Sequence, residues 1–180
     1  MFKLGLIINP YAGLGGSVGL KGSDGDAIRT EAIARGAEQR ALQRMERALQ
    51  VIANFREQIE IFCFAGDMGE SSAHASGFTA HIVGSAQQQL SSAQDTCAAA
   101  TELMQHNVDL ILFAGGDGTA RLIADVVGTS QPVLGVPCGV KMHSGVYANA
   151  PEAAGEILKQ LLTGTLVNIV ERDVKDIDED

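Results

Sequence analysis

Short apolar runs punctuate the chain at Lys3–Ile8, Ile59–Phe64, Thr79–Val83, Asp109–Ala114 and Val133–Val136. Each is nearly continuous in apolar character. That is the pattern of strands buried on both faces of a parallel sheet, whereas half-exposed strands alternate. Between the runs, apolar positions recur at spacings of three and four. Leu42, Met45, Leu49 and Ile52 repeat in this way with Arg44 and Arg47 on other faces, which predicts an amphipathic helix over 38–53. An alanine-rich helix is expected from Ser92 to His106, and a third from Thr119 to Val127 with Leu122, Ile123, Val126 and Val127 inward. Pro151, suited to a first helical turn, opens a fourth through Leu162. Strands alternating with helices predict an α/β fold: an open, doubly wound, mostly parallel sheet with helices on both faces, in three layers.

Ligands of such Rossmann- or flavodoxin-like sheets bind beyond the carboxyl ends of the strands, where strand order reverses. The loops after the first and fourth strands are therefore the first candidates. The loop after the first reads "NPYAGLGGSVGLKGSDGD", Asn9 to Asp26, and is the one compositionally biased region. It is not a Walker A loop, because Lys21 is followed by Gly22 and not by Ser or Thr. It is not a dinucleotide fingerprint either. Val18 stands where the third glycine belongs, and the acid expected about 20 residues on is out of place. A glycine-rich surface loop remains an equal reading.

The loop after the fourth strand is sharper. In "LILFAGGDGTARL", Gly115, Gly116 and Gly118 surround Asp117, and Thr119 opens the next helix. Free N–H groups at such a junction, together with the helix dipole, favour an anion. As a purely structural device, Asp117 would be a helix N-cap, which explains one acid but not three glycines around it. A third stretch, "GVPCGVKMHSGVYA" at Gly135–Ala148, carries Lys141, His143 and Ser144 between glycines. Lys141 is a candidate phosphate contact, and a solvated loop lysine is its plain alternative. A nucleophile pair from His143 and Ser144 has little support, since adjacent residues rarely face each other and no orienting acid is visible.

Composition narrows the classes. The chain has 180 residues, 46% of them hydrophobic and 19% charged, which suits one globular domain. A formal net charge of −9 argues against nucleic acid as a partner. No apolar run approaches the ~18 residues of a membrane span, and the start lacks a signal-peptide pattern. Cys63, Cys97 and Cys138 are isolated and odd in number, with no metal-ligand spacing. Reduced thiols in a cytoplasmic protein are expected, with no structural metal, no membrane and no nucleic acid.

"NPYAGLGG", "GGDGT" and "GVPCGVKMHSGVYA", in this order after the first, fourth and fifth strands, resemble the ATP–NAD kinase family, in the branch that includes acetoin catabolism protein X. "GGDGT" is shared with diacylglycerol and sphingosine kinases. Those continue with a "PxGTGND"-like stretch, where this chain has "GVPCGVKMHSG". The resemblance runs from Asn9 to about Leu162. It implies an N-terminal α/β nucleotide-binding domain over 1–165. Residues 166–180 then begin the linker to a C-terminal β-rich domain that this chain does not contain.

The implied reaction is transfer of a phosphoryl group from ATP or polyphosphate to the 2′-hydroxyl of the adenosine ribose of NAD, giving NADP. Mg²⁺ accompanies ATP, and NAD is a substrate. Asp117 is implied as the group that takes the hydroxyl proton. Asn9, Gly13, Gly15, Gly16, Gly115, Gly116, Gly118 and Thr119 are implied in nucleotide binding, with Lys141 as a phosphate partner. The family's Asn-Glu pair that contacts NAD is not found here, so this chain alone is expected to bind nucleotide weakly and catalyse nothing. A homo-oligomer remains open. The alternatives are a lipid or small-alcohol kinase on the same GGDGT domain, and a nucleotide-binding or regulatory module without catalysis.

Overall fold

The computed structural model describes residues 1–12, 40–88, 91–138 and 143–165. Elements are numbered over these residues. Five strands form one sheet: β1 (Phe2–Ile8), β2 (Ile59–Phe64), β3 (Ala80–Gly84), β4 (Leu110–Gly115) and β5 (Val133–Pro137). Five helices accompany them: α1 (Ala41–Val51), α2 (Glu70–Ala75), α3 (Ala93–Gln105), α4 (Asp117–Val127) and α5 (Pro151–Leu162). All strand pairs are parallel, in the order β3-β2-β1-β4-β5. The chain builds outward from β1 through β2 and β3, then returns to β1's other side with β4 and β5. Strand order thus reverses between β1 and β4.

Both faces of the sheet are covered, as continuous apolar strands require. On one face Leu4, Leu6, Ile8, Ile61 and Leu112 pack with Met45 and Leu49 of α1, Ala73 of α2 and Leu158 of α5. On the other, Ile7, Phe62, Ile111 and Phe113 pack with Leu103 of α3 and Ile123 and Val127 of α4. The helices sit tightly. A Cβ at Gly5 of β1 would come within 2.9 Å of Leu103, and one at Gly155 of α5 within 2.5 Å of the Ala48 carbonyl oxygen on α1. Arg47 of α1 and Glu152 of α5 join across that contact through two hydrogen bonds of 2.5 and 3.0 Å. Both are half-exposed to water, so the pair adds specificity of docking more than stability.

The expected fold class is the observed one, and the element ends follow from local chemistry. Ser92 caps α3 through a reciprocal pair with Asp95, the Ser92 N–H donating to Oδ2 at 2.8 Å. α1 ends at Val51, short of the expected residue 53, and a 3-10 turn over Ala53–Gln58 leads into β2. α4 starts at Asp117 and not at Thr119, because Gly116 already has the extended backbone of an N-cap. α2, six residues of "ESSAHA", is too short to show a helical period in sequence. Among the described residues no helix is long and apolar enough to cross a membrane. The expected linker at 166–180 lies outside the described residues.

Candidate functional site

The reversal of strand order brings the loops after β1 and β4 side by side. The Asn9 N–H donates to the Ala114 carbonyl at 2.9 Å, extending the β1–β4 pairing to the carboxyl end of both strands. The Asn9 side chain then spans the two loops. Its Oδ1 accepts from the Tyr11 N–H at 3.1 Å, and its Nδ2 donates to Thr119 Oγ1 at 3.3 Å. Thr119 is buried in the first turn of α4, directly over Gly115. A Cβ at Gly115 would fall 2.5 Å from the Cβ of Thr119, so this glycine is required by packing. Gly116 differs. A Cβ there would meet no atom of the described residues within 4 Å, so packing among them leaves open space beside it.

Among the described residues no side chain caps the N-terminus of α4. The first N–H groups of a helix have no partner within it, and they carry the positive end of its dipole. Asp117, the first residue of α4, does not serve as the cap. Its carboxylate turns to the segment after β5. Oδ2 accepts from the His143 main-chain N–H at 2.8 Å, and Oδ1 accepts from the Ser144 N–H at 3.0 Å and the Ser144 hydroxyl at 2.7 Å. Ser144 is buried. His143 is exposed and holds Asp117 through its backbone. These bonds cross 26 and 27 positions of sequence, which no local spacing rule reveals.

The same segment is anchored again at Tyr147. Its hydroxyl lies 2.5 Å from the Gly116 carbonyl oxygen and 3.2 Å from that of Gly115, with one proton to share between them. Its ring meets Phe113 edge-on at 5.4 Å. It also covers Gly135, where a Cβ would lie 2.5 Å from the ring. Burial, with Asp117 and Cys138 nearby, pushes the Tyr147 phenol well above its ordinary range, so it stays a donor. The Gly135 N–H donates to the Val146 carbonyl at 2.9 Å, and the Ala148 N–H to the Gly135 carbonyl at 3.0 Å. The sequence pattern hid Ser144 and Tyr147 as partners of the GGDGT turn, although both stand in the third stretch.

Cys138 follows β5 and donates its N–H to the Gly115 carbonyl at 3.3 Å. Burial pushes its thiol up to about 12, with the nearby Arg44 charge opposing the shift. Arg44 reaches from α1 to the Pro137 carbonyl at 3.1 Å, which sets a guanidinium at the end of β5. All three cysteines are free thiols. Among the described residues no group of three or more His, Cys, Asp or Glu is arranged to hold a metal ion. A cleft lined by Phe2, Glu57, Asp109 and Leu161 opens at the amino ends of the strands, away from this junction.

Of the residues singled out in sequence, the structure gathers Asn9, Gly115, Gly116, Asp117, Gly118 and Thr119 at the β1–β4 junction. Gly13, Gly15, Gly16 and Lys141 lie outside the described residues. No curated protein and no solved structure gives a significant match to the chain. A family model described as the ATP-NAD kinase N-terminal domain matches residues 4–166. That span takes in every described helix and nearly all of the sheet, so the chain belongs to the ATP-NAD kinase N-terminal domain family.

Proposed function

We propose that this chain is the nucleotide-binding half of an NAD kinase, transferring a phosphoryl group from ATP or polyphosphate to the 2′-hydroxyl of the adenosine ribose of NAD. The observation that carries the proposal is the uncapped N-terminus of α4 beside the firmly held Asp117, at the reversal of strand order, in a chain of this family. Phosphoryl transfer needs positioning, neutralisation of charge and an acceptor for the attacking hydroxyl's proton. N–H groups at the start of α4, with the open space at Gly116, suit a phosphate. Asp117 supplies the acceptor.

In the proposed step the ribose 2′-oxygen attacks the terminal phosphorus of the donor. The bond from that phosphorus to its bridging oxygen breaks. ADP, or a polyphosphate shorter by one unit, leaves with the electron pair, and the hydroxyl proton passes to Asp117. Among the described residues the donor set at the junction, one carboxylate and no cluster, fits Mg²⁺ arriving on phosphate oxygens better than a resident ion. When bound, Mg²⁺ neutralises charge on the phosphates. Lys141, Gly13, Gly15 and Gly16 are proposed as further phosphate contacts on the strength of the motifs alone. The family name describes an N-terminal domain, and a second domain is proposed to complete the cleft.

The test is direct. The full-length protein is incubated with NAD, Mg²⁺ and either ATP or polyphosphate, and NADP is read with a coupled NADP-specific dehydrogenase. Donor-dependent NADP is the expected result. Absence of NADP with both donors, from protein that is folded and binds nucleotide, would turn the reading to a binding module.

A further inference from the structure

We propose that Ser144 is a positioning residue that decides which oxygen of Asp117 does the chemistry. The inference rests on the kinase reading above and deepens it. A carboxylate offers about four acceptor sites, two on each oxygen. Oδ1 of Asp117 receives the Ser144 N–H at 3.0 Å and the Ser144 hydroxyl at 2.7 Å, so both of its sites are filled. Among the described residues Oδ2 receives only the His143 N–H, at 2.8 Å, which leaves it one site for a hydroxyl proton. Both backbone donors come with the fold of the segment after β5. Among the described residues the hydroxyl of Ser144 is the one side-chain donor to this carboxylate, and it makes the shortest of the three bonds.

The geometry also accounts for how the segment is held. Tyr147, three residues on, is fastened to the Gly115 and Gly116 carbonyls, and the Gly135–Val146 and Gly135–Ala148 bonds tie the same segment to β5. Ser144 is therefore presented to Asp117 by a braced backbone. Its hydroxyl fills Oδ1 and fixes the rotation of the carboxylate plane. Without it, Oδ1 gains a free site, and the carboxylate can present either oxygen and settle away from the substrate hydroxyl.

The experiment compares Ser144→Ala, Ser144→Cys and Asp117→Asn with the natural full-length protein, reading kcat and KM for NAD and for the phosphoryl donor. Ser144→Ala removes the hydroxyl and leaves both N–H donors. Loss of one hydrogen bond to a charged group predicts a fall in kcat of about 10- to 100-fold. KM for both substrates is expected to stay within about twofold, because binding loops are untouched. Ser144→Cys keeps the size and offers a weaker donor, so its kcat should fall between the two. That variant also carries the test if Ser144→Ala proves too unstable to assay.

A kcat for both Ser144 variants equal to that of the natural protein, with Asp117→Asn inactive, overturns the role of Ser144 and leaves the kinase reading standing. A rise in KM with kcat unchanged overturns it equally, since it would make Ser144 a binding residue. If the natural protein forms no NADP, the kinase reading falls and this inference falls with it.

Discussion

Asn9 and Thr119 meet through a 3.3 Å hydrogen bond between Nδ2 and Oγ1, and that bond ties the loop after β1 to the first turn of α4 across the reversal of strand order. With the Tyr11 N–H on its Oδ1, the Asn9 amide is engaged at both ends. Asn9→Ala loses both side-chain bonds and is expected to cost about 1–3 kcal/mol of stability in urea denaturation. Asn9→Asp keeps the acceptor for Tyr11, loses the donor to Thr119, and adds a carboxylate beside a proposed phosphate site. Its ADP affinity, read by calorimetry on the full-length protein, should drop more than its stability. Equal ADP affinity for Asn9→Asp and the natural protein would remove Asn9 from the site.

The two glycines that open the GGDGT turn should behave differently. Gly115→Ala forces a methyl group to 2.5 Å from Thr119. Overpacking of this kind costs about 1–3 kcal/mol, and the melting temperature should fall with it. Gly116→Ala meets no atom of the described residues within 4 Å, at an ordinary negative φ of −101°. Its melting temperature should match the natural protein while nucleotide binding weakens. If Gly116→Ala binds ADP as well as the natural protein does, the open space there is not part of the nucleotide site.

Tyr147→Phe isolates the hydroxyl. The ring contact with Phe113 is kept, and the lost bond runs to carbonyls that have other donors. Gly116 still receives the Ala120 N–H at 3.0 Å, and Gly115 the Cys138 N–H at 3.3 Å. Because neither carbonyl is left bare, the cost should be near the lower end of hydrogen-bond values, about 0.5–1 kcal/mol. A loss above about 3 kcal/mol in urea titration would mean that the hydroxyl braces more of the fold than its two partners.

Much of this was legible in the sequence. The five apolar runs marked the strands to within about one residue, four of them because strands buried on both faces carry a continuous signal, while β3 at the sheet edge leaves His81 and Ile82 exposed. Leu42, Met45 and Leu49 marked α1, and "GGDGT" with its neighbours marked the family that the match over 4–166 shows. What stayed hidden depends on distance along the chain. Asp117 read as a possible N-cap because its neighbours in sequence are a helix start. Its actual donors, His143 and Ser144, arrive through the fold of the segment after β5. Tyr147 was equally hidden, since its role depends on Gly135 and Gly115 standing on neighbouring strands in register, Gly135 beside Phe113.

The buried thiols predict an alkaline weakness. Burial pushes Cys63 and Cys138 each up from 9.0 to about 12. The folded protein therefore holds these protons where the unfolded chain releases them. Their contribution to stability is fully present below about pH 9 and is lost as pH rises toward 12. Urea midpoints should fall between pH 8.5 and 11, and Cys138→Ala should flatten part of that fall. At pH 8 both thiols should resist iodoacetamide in the folded state and react once the protein is unfolded. Rapid labelling of either in the folded protein would contradict their burial.

The central claim is that Asp117 takes the proton of the hydroxyl that attacks the phosphate. Asp117→Asn places an amide oxygen where Oδ1 accepts from Ser144, but sets an NH₂ against the His143 N–H, so its melting temperature must be measured beside its activity. The most direct measurement is the rate of NADP formation by folded, full-length Asp117→Asn, with ADP affinity taken on the same sample. The account predicts ADP binding within a few-fold of the natural protein and turnover lowered at least about 100-fold. Turnover close to that of the natural protein would contradict it.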